Sequence, residues 1–244
     1  MIEIQHLSKS FSGRPVLEDV SLTIRDAETF AVIGRSGSGK SVLLKHIIGL
    51  LTPDTGQVLI DGTDLHALSY ADLRQIRQQF GVLFQGGALF DSMSALDNVA
   101  FPLRTFTRQS EAEIMDRAHW CLSEVKLPDV GPKKPSELSG GMQKRVALAR
   151  AVALEPKYIL YDEPTSGLDP QTSATINDLI VQLAETLCAT SIVITHDMNS
   201  VLAIADRAGF IHERRLHWTG TMDDLRCCAD PDTLAFVKAS EYVI

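Results

Sequence analysis

The sequence predicts an α/β fold with a mostly parallel core sheet, an N-terminal antiparallel β subdomain and an inserted helical subdomain. Three observations lead to this prediction. Residues 29–51 read as an apolar strand, a glycine-rich loop and a helix. Apolar runs at 158–161 and 191–195 flank a helical pattern at 171–187. Residues 86–136 contain many apolar side chains without a regular helical or strand spacing. Strands that alternate with helices are typical of parallel sheets.

Composition and charge exclude several classes of protein. With 244 residues, 45% of them hydrophobic, the chain can bury one substantial core with a small subdomain inserted. It has no apolar run of the roughly 18 residues that a membrane span requires and no signal-peptide pattern, so we expect a cytosolic protein. The formal net charge of −8 argues against general nucleic-acid binding. The cysteine spacing predicts reduced thiols and no zinc site.

The first strands are predicted ahead of residue 29. Residues 2–7 and 17–24 alternate apolar and polar side chains, and a Gly-Arg-Pro turn separates them, which is typical of two antiparallel strands. Phe11 falls in the intervening loop. An aromatic ring there could stack on a nucleotide base or make a contact at the edge of the core, and the residues alone leave both open.

A phosphate-binding loop is predicted at the GRSGSGKS segment. The strand-like run 30–33 leads into it and helical spacing follows, which is the context that a P-loop requires. Glycines let backbone N–H groups surround an anion, and the new helix points its positive end at the same place. Lys40 can reach the β- and γ-phosphates, and Ser41 can hold Mg²⁺. The loop consists of Gly34, Arg35, Ser36, Gly37, Ser38, Gly39, Lys40 and Ser41. An ordinary glycine-rich turn is the alternative.

The next elements lead to a strand that ends at Gln85. We predict a strand at 57–62, a polar helix at 69–79 and an apolar strand at 80–85. An amide at the end of a buried strand can face the ligand crevice of an open α/β sheet. A glutamine in a surface loop is the alternative.

A helical subdomain is predicted after Gln85. Residues 111–125 place four apolar side chains on one helical face, and a Pro- and Gly-rich boundary follows. We therefore divide a single domain of residues 1–244 into an α/β core with its β subdomain, at 1–85 and 157–244, and a helical subdomain at 86–156.

A second anion site is predicted at the helix that follows Ser139. This serine is a suitable N-cap residue, and Gly140 and Gly141 open the first turn, so backbone N–H groups and the helix dipole are available to an anion. One nucleotide on the P-loop would not need both sites within one chain. A two-fold dimer would resolve this, because the second site of each copy could close on the nucleotide held by the other.

Two carboxylates and a histidine follow strand-like runs. Asp162 and Glu163 come directly after 158–161. Beside a P-loop, Asp162 can hold Mg²⁺ and Glu163 can orient or deprotonate the attacking water. A pair that caps the next turn is the alternative. His196 follows 191–195, where it could meet a γ-phosphate oxygen or serve a structural role.

The C-terminal part contributes no catalytic residue that we identify. A hairpin is predicted at 209–220. Helical patterns follow at 221–227 and 231–239.

Together these segments resemble the ATPase subunits of ATP-binding-cassette (ABC) transporters over nearly the whole length. GRSGSGKS is similar to the Walker A loop, YILYDE to the Walker B strand, LSGGM to the LSGGQ signature and SGLD to the D-loop. Gln85 resembles the Q-loop glutamine, His196 the switch histidine and Phe11 the aromatic residue that stacks on adenine. Met142 stands where the commonest signature has glutamine.

The resemblance implies an ATPase that requires ATP and Mg²⁺. The implied metal ligands are Ser41, Gln85 and Asp162, and the implied catalytic residues are Glu163, His196, Gln85 and Lys40. The implied nucleotide contacts are Phe11, the eight P-loop residues and, from a second copy of the chain, Ser139, Gly140 and Gly141. ATP binding would close this dimer, and hydrolysis would reopen it to drive an integral membrane permease.

A narrower resemblance concerns LSGGM and residues 83–104. Both are similar to the ATPases of Mla-type and Mce-associated phospholipid transporters of bacterial envelopes. This implies lipid as cargo, an Mce-domain partner protein and a peripheral position on the cytoplasmic face of the inner membrane. The EPTSGLDP segment instead follows the general ABC pattern, and ordinary subdomain core is the alternative for 83–104.

Three other functions stay open at this point. A polar amino-acid importer shares every ATPase motif, and a non-transport ABC protein such as a cell-division regulator is a further alternative. A soluble ABC protein for DNA or translation predicts two cassettes, a long coiled-coil insert or a basic face, and the sequence has none of these.

Overall fold

The chain is built as two units, which the computed structural model describes over residues 1–240. The first unit contains Met1–Arg77 and the chain from Thr190 onward, and the second contains Gln78–Ala189. The second unit includes the whole predicted helical segment, 86–156, together with a strand on either side of it. The boundaries predicted from the sequence for core and helical subdomain stay a prediction.

Ten strands and nine α-helices are formed within residues 1–240. The strands are β1 (Ile2–Phe11), β2 (Arg14–Ile24), β3 (Thr29–Ile33), β4 (Thr55–Ile60), β5 (Thr63–Asp64), β6 (Phe80–Leu83), β7 (Tyr158–Asp162), β8 (Thr190–Thr195), β9 (Arg207–His212) and β10 (Arg215–Thr221). The helices are α1 (Lys40–Ile47), α2 (Tyr70–Arg77), α3 (Ala95–Phe106), α4 (Glu111–Glu124), α5 (Gly140–Val152), α6 (Pro170–Leu187), α7 (Met198–Ile204), α8 (Met222–Arg226) and α9 (Pro231–Ala239).

The first unit contains an antiparallel sheet in the order β2-β1-β4-β5. The predicted antiparallel pairing of the first two strands is confirmed. The two strands are longer than the alternation indicated, and Phe11 pairs with Arg14 at the end of β1, so its predicted position in a loop was wrong. Only Ser12 and Gly13 form the turn, and both have positive φ angles, 50° and 76°. Such two-residue turns match the twist of a hairpin.

The first unit also contains four strands of a mostly parallel sheet, in the order β10-β9-β3-β8. β3 is parallel to both β8 and β9, while β10 is antiparallel to β9. All five residues of β3 are buried, which a central parallel strand requires because helices or other layers cover both faces. The predicted α/β class with a mostly parallel core sheet is therefore confirmed.

The second unit pairs β6 with β7 in parallel, with Leu83 opposite Tyr161. Helices α3, α4 and α5 lie between these strands in the chain, and α6 follows β7. Ile114, Ala118 and Leu122 of α4 are buried, as its periodicity predicted. Among residues 1–240, no helix combines the length and hydropathy needed to cross a bilayer.

Candidate functional site

The loop between β3 and α1 has the shape of an anion cradle. Gly39 precedes α1 with a φ of 101° and no side-chain cap. A Cβ at this position would lie 2.8 Å from Leu17 Cδ2 and 3.0 Å from the Val16 carbonyl oxygen, so only glycine fits without strain. The predicted order of strand, glycine loop and helix is confirmed, and the helix begins at Lys40.

Lys40 and Ser38 provide the polar atoms of this cradle. The residue Lys40 is 6% exposed, and its Nζ donates to the carbonyl oxygens of Gly34 at 2.8 Å and Arg35 at 3.0 Å. The Ser38 hydroxyl is buried and has no protein hydrogen-bond partner, which costs free energy unless a ligand completes the site. A cation, an unpaired hydroxyl and a helix N-terminus without acidic residues fit the phosphates of ATP with Mg²⁺.

His196 lies at the edge of the sheet where the P-loop begins. β3 and β8 are parallel with Ile33 opposite Thr195, so Gly34 and His196 are the next residues along two adjacent strands. His196 is exposed. The following residue, Asp197, caps α7 and fixes the direction of the chain after the histidine. The placement predicted for His196 thus agrees with the structure, while its role stays a prediction.

Phe11 presents its ring to solvent. The residue is 43% exposed, and Lys9 Nζ lies 5.6 Å from the ring centroid. A ring with this exposure is available to stack on a flat partner. Base stacking stays the predicted role of Phe11.

In the second unit, Gln85, Asp162 and Glu163 lie at the carboxyl ends of a pair of parallel strands. Leu83 of β6 pairs with Tyr161 of β7, so Asp162 ends β7, Glu163 follows it, and Gln85 lies in the turn just after β6 rather than in the predicted strand. Glu163 has a left-handed φ of 50°, which is costly for a residue with a side chain. Such backbone strain is common where a side chain is held in a functional orientation.

Helix α5 begins with the capping geometry that the sequence predicts. The Ser139 hydroxyl accepts a hydrogen bond from the Met142 N–H at 3.3 Å. Gly140 is exposed, and a Cβ there would meet nothing within 4 Å, so the turn is open to an approaching group. At Gly141 a Cβ would lie 2.5 Å from Thr172 Cγ2, so the Thr172 side chain would have to shift to accept a larger residue.

Two cations of α5 were not singled out by sequence reasoning. Lys144 Nζ donates to three carbonyl oxygens in the turn after β7. Arg150 donates to the carbonyl oxygens of Gly87 at 2.7 Å and Ala88 at 2.8 Å, in the loop that follows Gln85. Both basic residues are visible in the sequence of α5, but no local pattern indicates which loops their side chains bind.

The sequence of the chain is similar to those of known proteins. The ABC transporter family matches residues 17–166. A Mycobacterium tuberculosis protein described as a probable ribonucleotide transport ATP-binding protein, mkl, is 44% identical over 97% of this chain, which spans 66% of that relative's length. The Haemophilus influenzae protein MlaF, of an intermembrane phospholipid transport system, is 41% identical over 98% of this chain and 90% of its own length.

The chain is also similar to a third relative and to a solved structure. The methionine import ATP-binding protein MetN of Caulobacter vibrioides is 41% identical over 99% of this chain and 73% of its own length. The dimeric, post-hydrolysis structure of the ATP-binding cassette MJ0796 with ADP and Pi has a TM-score of 0.84 and 34% identity, covering 91% of this chain and 99% of that one. With the P-loop geometry, these likenesses show that the chain belongs to the ABC transporter family.

Proposed function

We propose that this cassette is the ATP-hydrolysing subunit of a bacterial inner-membrane transporter that moves phospholipids across the envelope. The observation that carries the proposal is the 41% identity to MlaF over 98% of the chain. The segment 83–104, which resembles that group of ATPases, supports the same assignment. A separate permease and an Mce-domain protein are the proposed partners, and the cassette would sit peripherally on the cytoplasmic face of the membrane.

Within one chain, the proposed nucleotide contacts begin at the exposed ring of Phe11, which would stack on adenine. The backbone of the P-loop would surround the phosphates, with the Lys40 ammonium beside their oxygens. Ser41, Gln85 and Asp162 stay the metal ligands that the family resemblance predicts. Bound Mg²⁺ would neutralise charge on the β- and γ-phosphate oxygens.

The proposed hydrolytic residues are Glu163 and His196. Glu163 would accept a proton from the attacking water, which is the role of a positioned carboxylate at the end of a strand. His196 would donate a hydrogen bond to the γ-phosphate, since its strand ends beside the one that leads into the P-loop.

The proposed working form is a head-to-tail dimer. The open serine-glycine turn of residues 139–141 would close on the ATP held by the second copy, which accounts for two anion sites in one chain. The dimeric state of the similar cassette MJ0796 supports this arrangement. Closure and reopening would move the permease between two states.

Import of a small polar solute is the second candidate. The identity to MetN, 41% over 99% of the chain, and the identity to mkl favour it. Because all of these relatives share the ATPase machinery, the partners of the cassette decide between the two functions.

Purification of the tagged chain with its membrane partners in mild detergent tests the assignment. We expect a multi-span permease and an Mce-domain protein, identified by mass spectrometry and absent from an untagged preparation. Recovery of an amino-acid permease instead would contradict the lipid assignment and support the second candidate.

Reconstitution of the purified complex into liposomes tests the activity itself. A fluorescent phospholipid should redistribute only with hydrolysable ATP and Mg²⁺. Glu163→Gln should stop the transfer, whereas Glu185→Gln, at an exposed position of α6, should not. Transfer at an unchanged rate in Glu163→Gln would remove Glu163 from the proposed mechanism.

A further inference from the structure

Lys144 is a buried cation that the roles above do not use. The residue is 7% exposed, and its Nζ donates to the carbonyl oxygens of Glu163 at 3.2 Å, Pro164 at 2.8 Å and Ser166 at 2.8 Å. An ammonium group has three N–H donors, so these carbonyls satisfy all of them. Backbone dipoles thus replace water around the charge.

Burial of the Lys144 ammonium has an electrostatic cost, which its hydrogen bonds offset. Desolvation lowers the pKa of Lys144, and the nearby Glu163 carboxylate acts in the opposite direction. Loss of the ammonium would leave three carbonyl oxygens of the turn after β7 without this donor, which costs free energy. The contacts of the ammonium therefore hold this turn in one position as well as stabilise it.

Glu163, the proposed general base, begins the turn that Lys144 binds. Glu163 and Gly167 both have left-handed φ angles, 50° and 76°. The Ser166 N–H donates to the Glu163 carbonyl oxygen, and the Leu168 N–H donates to that of Thr165, each at 3.2 Å. These turns direct several carbonyl oxygens toward the ammonium. Without it, those oxygens would lose their shared donor and the backbone of Glu163 would be less constrained.

The same helix carries the serine-glycine turn. Ser139 caps α5, and Lys144 lies little more than one turn further along. The close approach of Gly141 to Thr172 packs the start of α5 directly against α6. Helix α5 therefore links residues 139–141 to the Glu163 turn through a short, hydrogen-bonded path inside the second unit.

We propose that Lys144 is a positioning residue for ATP hydrolysis, which fixes the Glu163 carboxylate relative to the serine-glycine turn of the same chain. The inference rests on the proposed function, in which residues 139–141 contact the partner's nucleotide and Glu163 acts on the chain's own nucleotide. Closure of the turn on one ATP would then set the base at the other ATP. Lys144 thereby couples the two nucleotide sites of the dimer.

Steady-state ATPase assays of the full chain test this role. Lys144→Met removes the donors at similar volume, and Lys133→Met, at an exposed position of the same unit, is the matched control. We expect kcat to fall roughly 10- to 100-fold in Lys144→Met, because small misplacements of a catalytic group have effects of this size. The KM for ATP should stay within about twofold, and the Hill coefficient should fall toward 1. Lys133→Met should match the wild type.

A double-mutant cycle identifies the group through which Lys144 acts. In a Glu163→Asp background, which keeps a displaced carboxylate and residual turnover, Lys144→Met should cause a much smaller loss of kcat than in the wild type, since the carboxylate is already out of position. A further loss of the same size as in the wild-type background would overturn the inference.

The remaining outcomes separate this inference from the function on which it rests. A folded Lys144→Met variant with wild-type kcat and Hill coefficient overturns the positioning role alone. A wild-type chain without Mg²⁺-dependent ATPase activity overturns the proposed function as well. If Lys144→Met does not fold, Lys144→Gln decides, because its amide keeps two N–H donors. Its kcat should be several-fold lower, and a wild-type kcat would reject the inference.

Discussion

Among single residues, we expect Lys40 of the P-loop to contribute most to the affinity for nucleotide. Its ammonium is buried and held by two carbonyl oxygens of the loop, so it is in place before a phosphate arrives. Removing a charged hydrogen-bonding group from such a site costs about 3 kcal/mol, which corresponds to roughly 100-fold in affinity. We expect Lys40→Ala to lose measurable binding of a fluorescent ATP analogue.

Lys45→Ala is the matched control, since Lys45 lies exposed on the same helix. Its affinity for the analogue should equal that of the wild type. Retained binding in a folded Lys40→Ala variant would contradict the assignment of this loop.

His46 makes the stability of the first unit sensitive to acid. The residue is fully buried in α1, its Nδ1 lies 2.8 Å from the Val42 carbonyl oxygen, and its Nε2 has no partner. Desolvation is the main reason why its pKa lies below the usual value of 6.5. Below about pH 6.5 the unfolded chain therefore binds more protons than the folded chain, so the free energy of unfolding falls as the pH falls.

Urea denaturation at pH 8 and pH 5.5 measures this effect. The wild type should lose up to about 1.4 kcal/mol per pH unit through His46 within the window between its two pKa values. His46→Leu should reduce that loss, although His66, whose pKa burial also lowers, retains part of it. The exposed His119→Gln should behave like the wild type. An unchanged pH dependence in His46→Leu would refute this explanation.

At the scale of elements, helix α5 organises the second unit by holding three separate loops. Gln143 Nε2 donates to the carbonyl oxygens of Pro135 and Leu138, ahead of the helix. Lys144 holds the turn after β7, and Arg150 holds the loop after β6. One helix thus fixes the backbone next to Gln85, Glu163 and the serine-glycine turn.

The packing of β6 against α5 leaves no room for a side chain at Gly81. A Cβ there would lie 2.3 Å from the Ala151 carbonyl oxygen and 3.0 Å from Pro156 Cγ. Because the nearest atom belongs to the backbone of a helix, the strand would have to move. We expect Gly81→Ala to lower the free energy of unfolding by about 1–3 kcal/mol in urea titrations. Gly86→Ala, where a Cβ meets nothing within 4 Å, should stay close to the wild type, and equal effects of both would contradict this packing.

Helices with a regular apolar pattern in the sequence were predictable, and helices without such a pattern were not. A regular apolar stripe indicates α4, and the structure has that helix at Glu111–Glu124, where Ser110 and Glu113 form a capping box at its start. Helix α3 was missed, since Pro102 lies inside it and its apolar residues follow no clean period. The buried Asn98 side chain instead ties this helix to the preceding loop, since it accepts a hydrogen bond from the Phe90 N–H and donates to the Ser94 carbonyl oxygen. Helix α7 is too short for a periodic signal.

At the scale of the whole molecule, only the parts of the candidate site that are formed by neighbouring residues in the sequence were predictable. The P-loop residues are consecutive, so their pattern and their geometry agree. The contacts of Lys144 and Arg150 join residues far apart in the chain: the Glu163 carbonyl lies 19 positions from Lys144, and the Ala88 carbonyl lies 62 positions from Arg150. No pattern in a single sequence records such pairings, which depend on how the elements pack.

Assembly of two copies is the property that the proposed function most requires. Glu163→Gln should bind ATP without turnover, so ATP and Mg²⁺ should shift it from monomer to dimer in size-exclusion chromatography with light scattering.

Gly140→Arg tests the interface between the two copies most directly, because Gly140 is exposed with open space around it and the fold can accept a side chain there. Combined with Glu163→Gln, it should bind ATP yet remain monomeric, since the added side chain would occupy the place of the partner's phosphates. Ala112→Arg, at an exposed position of α4, should leave dimer formation intact. Full ATP-dependent dimerisation of the Gly140→Arg variant would exclude the serine-glycine turn from the contact between the two copies.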